Sequence, residues 1–156
     1  MQVRTEIEID APPERVWSVL LDFARYPEWN PFLVALTGRA GSGEKLQVTV
    51  SLPDSHTERE FRARVTRFED GYELAWIGHL WMKGLLDGEH FFRLQPLPNG
   101  RTRFVHGEDF SGLLLKFVLS RLGEAARGFV YMNQALKKRI ESSSRGATEL
   151  KPAPAG

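Results

Sequence analysis

The chain has 156 residues, 42 % of them hydrophobic and 26 % charged, with a formal net charge of +1 and no cysteine. This balance fits one soluble domain with one core; it gives no electrostatic footprint for nucleic acid, and the lack of cysteine excludes a disulfide framework, a thiolate zinc site and a cysteine nucleophile. The N-terminus has no continuous apolar segment of the secretory type, and no apolar run reaches the ~20 residues of a membrane span, so a cytoplasmic protein without stable membrane insertion is expected.

Gln2 to Ile9 alternates, with Val3, Thr5, Ile7 and Ile9 on one side and Arg4, Glu6 and Glu8 on the other, which predicts a half-buried strand. The prolines of Asp10-Ala-Pro-Pro-Glu-Arg suit a helix start, with Asp10 or a neighbour as cap, and Val16, Trp17, Leu20 and Leu21 form its apolar stripe. Asp22 to Phe32 holds two prolines and four aromatic residues, so it predicts a short helix and a turn that fold back. Strand patterns then follow one another: Leu33–Arg39, Leu46–Leu52, Thr57–Phe68, Tyr72–Leu80, Gly84–Leu97 and Arg101–Ser111. Turn signals separate them at Gly41-Ser-Gly43, Pro53-Asp54-Ser55, Asp70-Gly71 and Asn99-Gly100, the last being the strongest hairpin cue in the chain.

Leu113 to Ile140 changes to helical spacing. Phe117/Val118, Leu122, Ala125, Phe129, Met132, Leu136 and Ile140 recur every three or four residues, which predicts one amphipathic helix about 40 Å long. Gly123 and Gly128 interrupt it and mark places for a bend or a close approach. Beyond it, residues 142–156 are small, polar and proline-bearing and are expected to form a disordered tail, leaving 1–141 as a single domain. Strands in the middle with helices after the first strand and at the end argue for an α+β fold: a curved antiparallel sheet of six to seven strands, closed by the long helix, with two short helices after strand one.

Two stretches in this order carry a family likeness. Ile9-Asp10-Ala11-Pro12-Pro13-Glu14-Arg15-Val16-Trp17 is similar to an "I-x-A-P-x-x-V-W" start of the first helix, and Tyr26-Pro27-Glu28-Trp29-Asn30-Pro31-Phe32 looks like a "YPxWNPF" turn. With the element order, they resemble the START/polyketide cyclase-like helix-grip superfamily (SRPBCC), and within it a small bacterial single-domain member. The likeness covers roughly residues 2–141. It implies a helix-grip fold with an internal cavity; it does not choose among the functions hosted there.

Strand parity suggests which residues face such a cavity. His90, Phe92 and Leu94 share one face, as do Phe104, His106, Glu108 and Phe110 on the partner strand. A turn centred on Asn99 sets His90 across from Glu108 and Phe92 across from His106. Two histidines and a glutamate among aromatics can orient a ligand's carbonyl or phenol, or move a proton; equally, they can be a satisfied buried pair. Phe61, Leu74, Trp76 and Phe92 form the expected apolar wall. Trp29 and Phe32 close one end, and Phe117, Phe129 and Met132 face the sheet from the helix, with core packing as the competing account for all of them. The arginines of Thr57–Arg67 are read as the solvated outer face. No nucleotide, P-loop, hydrolase or zinc-protease motif is present, and no cofactor or metal is expected. Three functions stay open: binding or transport of a small hydrophobic ligand, a cyclase-, dehydrase- or aromatase-like enzyme, and an interaction protein with a collapsed cavity.

Overall fold

In a computed structural model, residues 1–79, 83–118 and 122–149 are described, with 117–118 and 144–149 described by their backbone alone. The alternating stretches become seven strands: β1 (Gln2–Ile9), β2 (Leu33–Gly38), β3 (Lys45–Ser51), β4 (Glu58–Glu69), β5 (Glu73–His79), β6 (Asp87–Leu97) and β7 (Arg101–Ser111). They form one sheet in the order β1-β7-β6-β5-β4-β3-β2, with every neighbouring pair antiparallel. Between β1 and β2 lie α1 (Pro13–Leu21), a 3-10 turn at Phe23–Arg25 and α2 (Tyr26–Trp29). After β7 come α3 (Leu115–Val118) and α4 (Leu122–Glu149). This is the curved sheet and long helix of the expected α+β helix-grip architecture.

Local chemistry accounts for the joints. Pro98, Asn99 and Gly100 join β6 to β7 as a three-residue loop in which Asn99 and Gly100 both take positive φ, 64° and 69°, and the register closed by the Leu97–Arg101 pair sets His90 opposite Glu108 and Phe92 opposite His106. The α1 helix begins at Pro12–Pro13 without a side-chain cap. Asp10 does not cap it; its backbone N–H donates instead to Glu141 on α4. Trp17 pins α1 to the β4–β5 turn by donating its indole N–H to Asp70 at 2.8 Å.

Three boundaries differ from the sequence expectation. The strand expected from Gly84 starts at Asp87, because Asp87 accepts the Gly84 N–H in a tight loop where Gly84 has φ +85°. Leu80 and Trp81 lie outside the described residues. The helix expected from Leu113 is described as α3 and α4, and Leu113 and Leu114 are not helical: their N–H groups donate to Gly84 and Leu85 across the loops. At the other end α4 runs to Glu149, past Ile140, where the helix is expected to end. Ser142 and Ser143 hydroxyls donate back to the Lys138 and Arg139 carbonyls, and Ser143 also accepts from Arg15 on α1, which ties this polar segment to the first helix.

Phe129, Met132, Leu136 and Ile140 of α4 are buried in the core against the inner sheet face, each such side chain contributing about 1.5–3 kcal/mol of transfer free energy. The helix lies along β1, tied by Lys137 to the Glu8 carbonyl and by Asn133 to Thr5. Gly128 is where helix and turn come closest: a Cβ there would sit 2.3 Å from the Phe32 ring. On the outer sheet face a small second cluster of Ala75, Phe91 and Val105 is capped by Arg93, 4.4 Å above the Phe91 ring.

Candidate functional site

The space between α4 and the sheet is not filled at one end. A cavity of about 250 Å³ is lined there by Phe32, Leu33, Phe61, Trp76, Leu86 and Phe110, with His90 and Glu108 among them. Its floor comes from a row of small residues running across the sheet. Gly88 pairs with Gly78 and Gly78 with Ala63, while Phe110 stands opposite Gly88 at the end of the row. A Cβ on Gly78 would lie 2.8 Å from the Phe61 ring, and one on Gly88 would lie 2.1 Å from Glu108 Oε1. The two glycines therefore let an aromatic wall and a carboxyl lie flat over bare backbone.

A polar chain leads from this cavity into the core. His90 Nδ1 is 3.5 Å from Glu108 Oε2, His90 Nε2 is 2.9 Å from His106 Nε2, and His106 Nδ1 is 2.8 Å from Asn133 Oδ1. Asn133 Nδ2 donates to Thr5 Oγ1 at 2.9 Å, and Thr5 donates to the His106 carbonyl at 3.1 Å. Four elements thus supply one network: β1, β6, β7 and α4. Aromatic rings enclose it, with His90 stacked on Trp76 at 4.7 Å and His106 stacked on Phe129 at 4.3 Å.

Burial sets the charge state of the chain. It pushes His90 down to about 3. It also holds His106 well below the usual histidine range, with neighbouring His90 adding to the effect and hydrogen bonds to Asn133 and to the Phe129 backbone opposing it. Both rings are therefore neutral at pH 7. Glu108 moves the other way, up to about 8, by burial first and the nearby Asp109 second, although its side chain keeps 20 % of its surface accessible. A carboxyl held in its acid form at a cavity wall is a hydrogen-bond donor and a proton source.

Of the residues singled out from sequence, Phe32, Phe61, Trp76, His90, Glu108 and Phe110 meet at the cavity. Phe92, His106, Phe129 and Met132 do not line it; they are fully buried in the layer behind, as core packing demands of the central rows. Trp29 does not close the cavity either. It is half-buried beside Tyr26, in a surface groove with Arg15, Arg25 and Arg139, and Tyr26 itself is buried in the core, its hydroxyl donating to the Leu20 carbonyl. The Phe117 side chain lies outside the described residues. Arg59 corrects the outer-face reading of β4: it shares the parity of Phe61, Ala63 and Val65, lines the cavity and is exposed, so it stands where the cavity opens. Sequence reasoning missed the network's far partners. Thr5 was on the inner face of β1 by alternation, and Asn133 falls one helical turn after Phe129 on the buried stripe, a polar residue at a core position that asks for a partner.

Comparison with known proteins places this architecture. The family described as polyketide cyclase / dehydrase and lipid transport matches residues 1–142. The chain belongs to that family. Solved structures of the same fold include a START superfamily protein from Mycobacterium smegmatis, 21 % identical with a TM-score of 0.70, covering 91 % of this chain and 98 % of that one. The Zhui aromatase/cyclase from Streptomyces sp. R1128 is 19 % identical with a TM-score of 0.74, covering 94 % and 97 %. Protein MLL2253 from Mesorhizobium loti is 20 % identical with a TM-score of 0.72, covering 92 % and 98 %. Among curated proteins nothing matches the chain. Among the described residues, no helix of this family member is long and apolar enough to cross a membrane.

Proposed function

We propose that this protein binds a small hydrophobic molecule in the cavity between α4 and the sheet, and does so in the cytoplasm. The observation that carries the reading is the cavity itself: about 250 Å³ with a largely apolar wall, a glycine floor and two polar groups, Glu108 and His90, at its inner side. Small-ligand sites have this composition, mostly apolar with a few placed polar anchors. Family membership supports it through the lipid-transport part of the family description, and an open cavity argues against a protein whose interior has collapsed.

The test is mass spectrometry of the protein purified under native conditions, joined to displacement of a cavity-bound apolar dye by fatty acids and aromatic compounds. Co-purified hydrophobic material or competitive displacement is expected. The absence of both a co-purified molecule and dye binding would overturn the reading.

One observation favours a second reading, acid/base catalysis of the cyclase or dehydrase kind. Glu108 is held protonated near neutral pH at the cavity wall, and a similar fold serves an aromatase/cyclase. If Glu108 transfers a proton during turnover, Glu108→Gln lowers kcat by about 100-fold or more with little change in substrate affinity, the scale of a lost general acid.

A further inference from the structure

The hydrogen-bond chain behind the cavity has a direction, and that direction fixes what the cavity's inner end can recognise. It starts at Thr5. The His106 carbonyl can only accept, so the Thr5 hydroxyl at 3.1 Å must donate to it. Thr5 Oγ1 then accepts from Asn133 Nδ2, which turns Asn133 Oδ1 toward His106. An amide oxygen only accepts, so His106 Nδ1 carries the proton, and in a neutral ring Nε2 is then bare. His90 Nε2, 2.9 Å away, must donate to it. His90 Nδ1 is consequently an acceptor aimed at Glu108 Oε2, and a second bare acceptor cannot face it. A proton therefore sits between them. Packed between Trp76, Phe92 and Phe129, His90 is a poor place for a cation, so the proton belongs to Glu108.

At 3.5 Å the Glu108–His90 contact is at the outer limit of a hydrogen bond. One oxygen atom placed on the cavity side can lie within about 2.8 Å of both partners. It would accept from the Glu108 O–H and donate to His90 Nδ1. A carbonyl can only accept, and would leave His90 Nδ1 unpaired. A carboxylate would bring a buried negative charge beside Glu108 and Asp109. Of these three ligand oxygen groups, the hydroxyl is the one that satisfies both partners. We infer that the inner end of the cavity is a hydroxyl-recognition site, and that the ligand is an apolar molecule, aromatic or alicyclic, bearing a phenolic or alcoholic OH that points at Glu108 and His90.

This inference rests on the reading of the cavity as a ligand site, and three matched probes separate the two. Naphthalene, 2-naphthol and 2-methoxynaphthalene share one apolar body; the first has no polar group, the second donates and accepts, and the third only accepts. Calorimetric titration of the wild-type protein is expected to give 2-naphthol an affinity about tenfold or more above both others, the scale of a buried hydrogen-bonded pair. Glu108→Gln keeps a donor in place and should preserve most of that preference, whereas Glu108→Leu should abolish it while naphthalene still binds. Equal binding of all three probes would overturn the hydroxyl site and leave the hydrophobic cavity standing; binding of none would overturn both. Nitrogen-15 NMR of the histidine rings gives an independent check that needs no variant. His106 protonated at Nδ1 and His90 at Nε2 are expected, and the reverse pattern would overturn the inference.

Discussion

Replacing Glu108 with Gln tests whether the cavity carboxyl is held in its acid form. Burial, with Asp109 adding to it, moves this group from 4.5 to about 8, so between those values the unfolded chain has lost a proton that the folded protein keeps. Stability must then fall as pH rises, because the folded state binds more protons. The two histidines act in the opposite sense. Burial lowers them, His90 from 6.5 to about 3, so they cost stability only as the pH drops below 6.5, where the unfolded chain takes up protons that the native rings refuse. From pH 6.5 to 8 the titration of Glu108 is the one that remains of these three. At about 1.4 kcal/mol per pH unit the wild-type protein loses at most about 2 kcal/mol across that window. The 20 % accessibility of the side chain makes this an upper bound. In a domain of this size it corresponds to about 4–8 °C in Tm. Thermal and urea unfolding of wild type and Glu108→Gln at pH 6.5 and pH 8 would read it, since all other titrating groups cancel in the difference. The wild type should lose stability relative to the variant as pH rises; parallel profiles would refute the buried-acid assignment.

Two further outcomes follow from the packing of α4. Gly128→Ala should destabilise by about 1–3 kcal/mol despite the better helix propensity of alanine, because the new methyl meets the Phe32 ring at 2.3 Å. Gly123→Ala, whose nearest obstacle is the Arg127 guanidinium at 3.7 Å, should gain up to about 1 kcal/mol; urea midpoints that move in the same direction would contradict the close approach at Gly128. Asn133→Leu should cost about 1–3 kcal/mol by leaving the His106 Nδ1–H without its acceptor, and a midpoint unchanged from wild type would show that the network contributes nothing to stability.

The fold was legible because each of its determinants is local or periodic. Alternation marks the strands, and a turn centred on Asn99 gives the β6–β7 register and with it the His90–Glu108 pairing. What escaped was decided by contacts between distant segments. The start of the C-terminal helical region depends on Leu113 and Leu114 donating to Gly84 and Leu85, and neither side of that contact signals the other in sequence. The same holds for the extension of α4 to Glu149, where Ser143 finds Arg15 on the first helix.

The position of the cavity teaches a sharper lesson about reading sites. Aromatic residues drew attention as the expected pocket wall, yet Phe92, Phe129 and Met132 are core because the row behind the cavity sets Leu74, Phe92 and His106 side by side beneath the helix. A cavity forms where a row runs out of side chains, and here that row is Gly88, Gly78 and Ala63. Finding it requires the β5–β6 register, and the segment between those strands offers no turn motif to set it. Once the register is known the consequence is forced. Two facing glycines remove the packing partners of Phe61 and Phe110, and Glu108, one row away, faces a space that protein atoms do not fill. The same absence of side chains that opens the cavity leaves the Glu108 carboxyl beside bare backbone, partly shielded from water, with His90 as its nearest polar neighbour. A substitution that fills the row beside the carboxyl, such as Gly88→Ala, whose methyl would lie 2.1 Å from Glu108 Oε1, changes the ligand space and the proton affinity of Glu108 together.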